Sequence, residues 1–122
     1  MVNKKRDTAP HLPLTSAEFH LLLALADGDK HGYAVMKDVA RRSGGRVRLS
    51  AGTLYGLIRR LVSEGMIVET DERPVAELDD ERRRYYRLTE FGQQVAIAEV
   101  ERLEAVLAVA RTKKLFSRAR TA

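Results

Sequence analysis

Cysteine is absent from this chain, which rules out a disulfide framework and any thiolate metal site. Tryptophan is absent as well, so no pocket here is lined by it. No apolar run approaches the roughly 18–20 residues of a membrane-spanning helix. The first residues, Met1 to Asp7, lack the apolar stretch of a signal peptide. A soluble cytoplasmic protein without a membrane partner is the expectation. The three histidines, His11, His20 and His31, show no metal-ligand spacing and no His-x-x-x-His pair, so no metal site is expected. There is no glycine-rich phosphate loop, nucleophile elbow or paired-acid constellation. Asp79, Asp80 and Glu81 sit in a polar stretch, where solvated charge is the ordinary explanation. Neither an enzyme nor a cofactor is expected.

One absence is local. From Val39 to Ser63 there is no acid, yet the stretch holds six arginines: Arg41, Arg42, Arg46, Arg48, Arg59 and Arg60. The net charge of +5 is moderate, so this distribution says more than the total. A second acid-free basic run follows Glu104, with Arg111, Lys113, Lys114, Arg118 and Arg120. At 122 residues the chain is one domain, small enough to favour extra burial by oligomerisation.

In chain order, residues 1–13 read as a flexible basic arm with Lys4, Lys5, Arg6 and two prolines. Thr15-Ser16-Ala17-Glu18 is a capping box, and it opens a core helix over about Ser16–Ala26. His31-Gly32-Tyr33 starts a second helix with Val35, Met36, Val39 and Ala40 inward. Ser43-Gly44-Gly45 breaks it. Arg46-Val47-Arg48-Leu49 alternates polar and apolar, as a brief strand does. A third helix then runs from the cap Ser50 to the stop Gly65, with Leu54, Leu57, Ile58 and Leu61 as its apolar stripe. Met66–Thr70 and Arg82–Leu88 read as two strands of a β-hairpin, with a polar loop from Asp71 to Glu81 between them. Tyr86 and Leu88 share one face, Tyr85 and Arg87 the other. A last helix from Thr89 to about Lys114 carries Ala96, Val100, Leu103, Leu107 and Ala110 at heptad-like spacing, widened by Val95, Val106 and Val109. That seam predicts pairing with a second subunit as a homodimer.

The fold class is therefore mainly α with a small β-hairpin: a winged helix-turn-helix over residues 14–88, a dimerisation helix over 89–115 and a basic tail over 116–122. In this plan the third helix enters the major groove of double-stranded DNA and the wing touches the backbone or minor groove. The outer face of the third helix is small, hydroxyl-bearing or cationic, and its N-terminus favours an anion. Ser50, Thr53 and Tyr55 form its front, where hydroxyls meet phosphate oxygens or a base edge. For Tyr55 the alternative is packing on the second helix. Arg59 reaches a guanine edge or, equally, a phosphate. Arg60 is the weaker candidate because neighbouring acids can turn it away. Arg46 and Arg48 meet the backbone. Arg82, Arg83 and Arg84 are the wing contacts, with Asp79–Glu81 beside them as neutralising acids. The competing reading is a winged helix that binds a protein instead of DNA. The acid-free arginine stretch argues against it.

The sequence also resembles the PadR family of bacterial transcriptional regulators. The resemblance lies in His31-Gly32-Tyr33, in Gly52-Thr53-Leu54-Tyr55 followed by Leu57, Arg60, Leu61, Glu64, Gly65 and Ile67, and in Tyr86-Arg87-Leu88-Thr89 with Gly92. It covers about Leu14 to Ala110 and looks like the branch with a single C-terminal helix. Where the family usually has proline, this chain has Gly56, which loosens the helix's first turns by about 1 kcal/mol relative to alanine. The resemblance implies a homodimeric repressor on a roughly palindromic operator, released by a small aromatic effector or another cellular signal. A tryptophan-lined effector pocket at the dimer centre, of the kind some relatives carry, is excluded.

Overall fold

The computed structural model describes residues 6–70, 84–113 and 115. Their elements run α1 (Ser16–Ala26), β1 (Lys30–His31), α2 (Gly32–Arg42), α3 (Ala51–Ser63), β2 (Ile67–Thr70), β3 (Tyr85–Leu88) and α4 (Glu90–Thr112), with a short 3-10 turn at Ala9–His11 in front. The capping box forms as written in the sequence. Thr15 Oγ1 accepts from the Glu18 amide at 3.1 Å, and Glu18 Oε1 accepts from the Thr15 amide at 2.7 Å. The apolar stripes of the first three helices meet in one core of Leu21, Leu22, Leu25, Val35, Val39, Leu54, Ile58 and Leu61. Met66, Ile67, Tyr86 and Val95 close it.

The hairpin is antiparallel with Ile67 opposite Leu88 and Thr70 opposite Tyr85. It is not two-stranded, however. Lys30 and His31 pair with Tyr86 and Tyr85, so β3 is the centre of a three-stranded sheet in the order β1-β3-β2. The residues expected to form a brief strand, Arg46 to Leu49, do not pair with any strand. Gly44 and Gly45 take positive φ (64° and 80°) and turn the chain. Ser43 Oγ then accepts from the Val47 amide at 2.9 Å and folds the segment back on α2. Val47 and Leu49 still face the core and Arg46 and Arg48 still face out, so the alternation reflects burial rather than pairing.

Residues 6–13 do not leave the domain as an arm. The Arg6 guanidinium lies 3.7 Å over the Phe91 ring and donates to the Glu64 carbonyl at 3.0 Å. His11 sits edge-on to the same ring at 5.3 Å. Residues 1–5, the tail over 116–122 and the wing loop with Arg82 and Arg83 lie outside the described residues.

The turn after α3 joins that helix to α4. Gly65, at φ 79°, reverses the chain. The Glu64 carbonyl accepts from Arg6, the Gly65 carbonyl from Thr89 Oγ1 at 2.6 Å, and the Met66 carbonyl from the Thr89 amide at 3.0 Å. Thr89 Oγ1 also caps α4 by accepting from the Gly92 amide at 3.0 Å. A Cβ on Gly92 would stand 2.0 Å from the Met66 carbonyl oxygen, so glycine is the one residue that lets α4 start this close.

Helix α4 has two halves. Gly92, Val95 and Glu99 are buried against the domain, so Val95 belongs to its own core and not to an outward seam. Ala96 packs on the edge of that core. Beyond Glu99 the helix runs past the domain, with Val100, Val106, Leu107 and Val109 exposed and Leu103 and Ala110 half-buried. Glu99 is 2% exposed and is held by Arg102 through bonds of 2.7 and 2.8 Å. Those bonds outweigh burial and keep its carboxyl below the usual glutamate range.

Gly92→Ala is expected to cost about 1–3 kcal/mol by overpacking. Gly52→Ala, with nothing within 4 Å of the added methyl, should gain up to about 1 kcal/mol. Thermal unfolding of the pair checks this, and an unperturbed Gly92→Ala protein would contradict the close joint. Because the folded-state pKa of Glu99 is depressed, its stabilisation is complete above the unfolded glutamate value of about 4.3. It is lost as pH falls through the lower folded value. Glu99→Gln should therefore flatten the acid limb of stability against pH, and an unchanged limb would contradict the pairing.

Candidate nucleic-acid interface

Helix α3 begins at Ser50, whose Oγ accepts from the Thr53 amide at 3.2 Å and donates to Thr53 Oγ1 at 3.0 Å. Ser50 is thus committed to the cap, while the Thr53 hydroxyl keeps its own proton for an outside acceptor. Ala51, Gly52 and Thr53 are all exposed among the described residues, and a methyl added to Gly52 would meet nothing within 4 Å. The helix continues unbroken through Gly56. Leu54, Ile58 and Leu61 face inward, which turns Thr53, Tyr55, Gly56 and Arg59 toward the other side.

Tyr55 is 41% exposed, yet its hydroxyl end lies on the start of α2. A Cβ on Gly32 would stand 2.6 Å from that oxygen. The ring therefore braces α3 against α2, and Gly32 is glycine to make room for it. His31 caps α2 by accepting from the Ala34 amide through Nδ1 at 3.1 Å.

The six arginines do not act as one patch. Arg41 and Arg42 lie 2.5 and 3.0 Å from the Asp38 carboxylate, and Arg42 is also 3.0 Å from Asp27. Asp38 is only 5% exposed. Burial alone would raise its carboxyl, but the hydrogen bonds from Arg41 and Arg42 win and hold it below the usual range. Arg60 pairs with Glu18 of α1 and lies 3.9 Å from Glu64. That leaves Arg46, Arg48 and Arg59, all exposed and none paired with an acid among the described residues. Arg48 donates to the Gly45 carbonyl at 3.1 Å, which fixes its stem at the turn. Arg84, at the foot of β3, is exposed and 3.7 Å from Glu69.

The structure thus leaves Arg46, Arg48, Thr53 and Arg59 exposed on one turn and one helix, while the half-exposed Arg60 is engaged by Glu18. Asp38 escaped the sequence reading because it stands just before the acid-free window. Its spacing of three and four residues from Arg41 and Arg42 was the available signal. Nothing local in the sequence announces the Glu18–Arg60 pair.

A separate groove of about 440 Å³ runs between α1 and α4, lined by Leu23, Ala26, Asp29, Arg87, Ile97 and Val100 among others. It adjoins the exposed half of α4. No described helix is long and apolar enough to cross a membrane.

Comparison with known proteins agrees with this fold. Transcriptional regulator Rv3488 of Mycobacterium tuberculosis is 32% identical over 89 residues, which is 73% of this chain and 77% of the relative. The solved structure of a transcriptional regulator from Clostridium thermocellum superposes with a TM-score of 0.65 at 25% identity, covering 79% of this chain and 87% of that one. Bacillus subtilis PadR, solved in complex with operator DNA, shares the fold with a TM-score of 0.57 at 19% identity, over 68% of this chain and 46% of that one. The model of the transcriptional regulator PadR-like family matches residues 21–98, most of the winged helix and the start of α4. The chain belongs to that family of transcriptional regulators, which is not a family of enzymes.

Proposed function

We propose that the protein is a homodimeric, sequence-specific DNA-binding repressor that places α3 in the major groove. The observation that carries this is the outward face of α3 and the turn before it: Arg46, Arg48 and Arg59 are cations without acid partners among the described residues, beside the uncovered first turn of the helix. Free backbone amides, the helix dipole and three guanidinium groups without an acid partner among the described residues together favour phosphate. Arg59, a full turn beyond Tyr55, reaches furthest along the groove and is suited to a guanine edge. Thr53 donates to a phosphate oxygen. Arg84 continues the basic line toward the wing, where Arg82 and Arg83 lie next in sequence. The operator complex of Bacillus subtilis PadR supports DNA as the partner.

The dimer reading rests on α4. Val100, Val106, Leu107 and Val109 stand exposed on a helix of 23 residues, about 34 Å long, whose second half is largely uncovered by the described residues. Pairing through that half, with Leu103, Leu107 and Ala110 at the seam, buries it and sets two copies of α3 about one turn of DNA apart. The groove between α1 and α4 has the size and lining to take a small aromatic effector, whose arrival would compete with or reshape the dimer contact.

Arg59→Ala is expected to weaken binding to the cognate operator by about 1–3 kcal/mol and to relax base preference at one position. Binding titrations over single-base operator variants check this, and unchanged affinity would remove α3 from the interface. Changing both Leu103 and Leu107 to aspartate is expected to yield monomers in sedimentation. A dimer that survives the change would rule out this seam.

A further inference from the structure

Adjacent arginines on a helix point about 100° apart, and Arg59 and Arg60 differ in more than direction. Arg59 has no acid near it among the described residues. Arg60, whose side chain is half-exposed, reaches across the surface to Glu18 of α1. Glu18 is an unusual partner. It is only 8% exposed, and its Oε1 is already fixed by the Thr15 amide at 2.7 Å in the capping box. The carboxylate is therefore held in place by the start of α1, and its second oxygen, Oε2, faces Arg60. On the other side, Glu64 stands 3.9 Å from Arg60 and 3.4 Å from His11. The guanidinium sits between two carboxylates, one of them buried. To reach a phosphate it would have to leave a buried charge without its cation, which is costly.

We infer that Arg60 is a positioning residue: anchored by Glu18, it fixes the pose of α3 on the domain so that Arg59 and Thr53 meet the groove, and it does not itself contact DNA. This rests on the DNA-recognition reading above. The two arginines then have separate duties. Arg59 contributes to the charge that displaces counterions. Arg60 sets the orientation of the helix, so its loss is felt in base preference and leaves the charge contact intact.

Glu18→Gln separates the possibilities, because glutamine preserves the acceptor of the capping box while removing the charge. The probe is a duplex selected by the wild-type protein from a random-sequence pool, against a scrambled duplex. Titrations are run across a salt series, well below the unfolding midpoint of each variant. Glu18→Gln should bind the selected duplex about tenfold more weakly. Its preference over the scrambled duplex should fall by a similar factor, and the dependence of log K on log salt should keep its slope. Arg60→Ala should match it, and the double variant should be no worse than either alone. Tighter binding by Glu18→Gln with a salt slope steeper by about 1 would mean that Arg60 had been freed to reach a phosphate, and would overturn the inference. So would a change confined to the unfolding midpoint. A wild-type protein that selects no preferred duplex would overturn the DNA-recognition reading itself, and is seen before any variant is made.

Discussion

Everything distal to α3 depends on how three successive carbonyls are satisfied. Glu64, Gly65 and Met66 leave α3 in a tight turn, and their oxygens are taken by Arg6, the Thr89 hydroxyl and the Thr89 amide. A helix end leaves carbonyls without internal partners, and burying them unmet is expensive. The last carbonyls of α3 itself, on Arg60, Leu61 and Val62, are met by the amides of Glu64, Gly65 and Met66, and the carbonyls of those three residues are met in turn by Arg6 and by the cap of α4. The same threonine that begins α4 thus holds the turn that follows α3. Gly92 completes the joint by letting the α4 backbone press on the Met66 carbonyl, where any side chain would collide. Two helices that are far from continuous in sequence become one mechanical piece. A dimer formed through the outer half of α4 therefore dictates where each α3 is held, since little play remains between them.

Charge is the second constraint. Along the chain the arginines look like a block, but the fold divides them by reach. Arg41 and Arg42 neutralise Asp38, a buried acid that would otherwise be costly. Arg60 neutralises Glu18. What remains for a partner is the set with no acid in range among the described residues, Arg46, Arg48 and Arg59, on α3 and the turn before it. Positive charge on this face is concentrated rather than abundant. That suits recognition, in which a few contacts hold the register while the helix reads the groove.

Local signals were legible from sequence and non-local ones were not. The limits of α1 follow from a capping box confined to four residues, and the limits of α3 from a serine cap and a glycine stop. The two-residue β1 carries no periodicity of its own and exists because β3 offers it an edge, with Arg87 held to Asp29 at 2.9 Å. The apparent strand at Arg46–Leu49 shows the converse: alternating burial is present, but no neighbour is there to pair with. Tyr55 reads equally as an outward hydroxyl or as packing on the second helix, and the bare backbone of Gly32 beneath its hydroxyl shows the packing. The exposed stripe of α4 was legible as a heptad, but its division at Glu99 was not. That depends on where the rest of the domain ends.

The central claim is that the cations around α3 without an acid partner among the described residues form a DNA-docking face. The most direct test is equilibrium binding of the wild-type protein to the duplex upstream of its own coding sequence, against a scrambled duplex, at low and physiological salt. The account predicts a preference of about a thousandfold or more and affinity that falls steeply with salt. Absence of binding to either duplex even at low salt would contradict it and move the basic face to a protein partner.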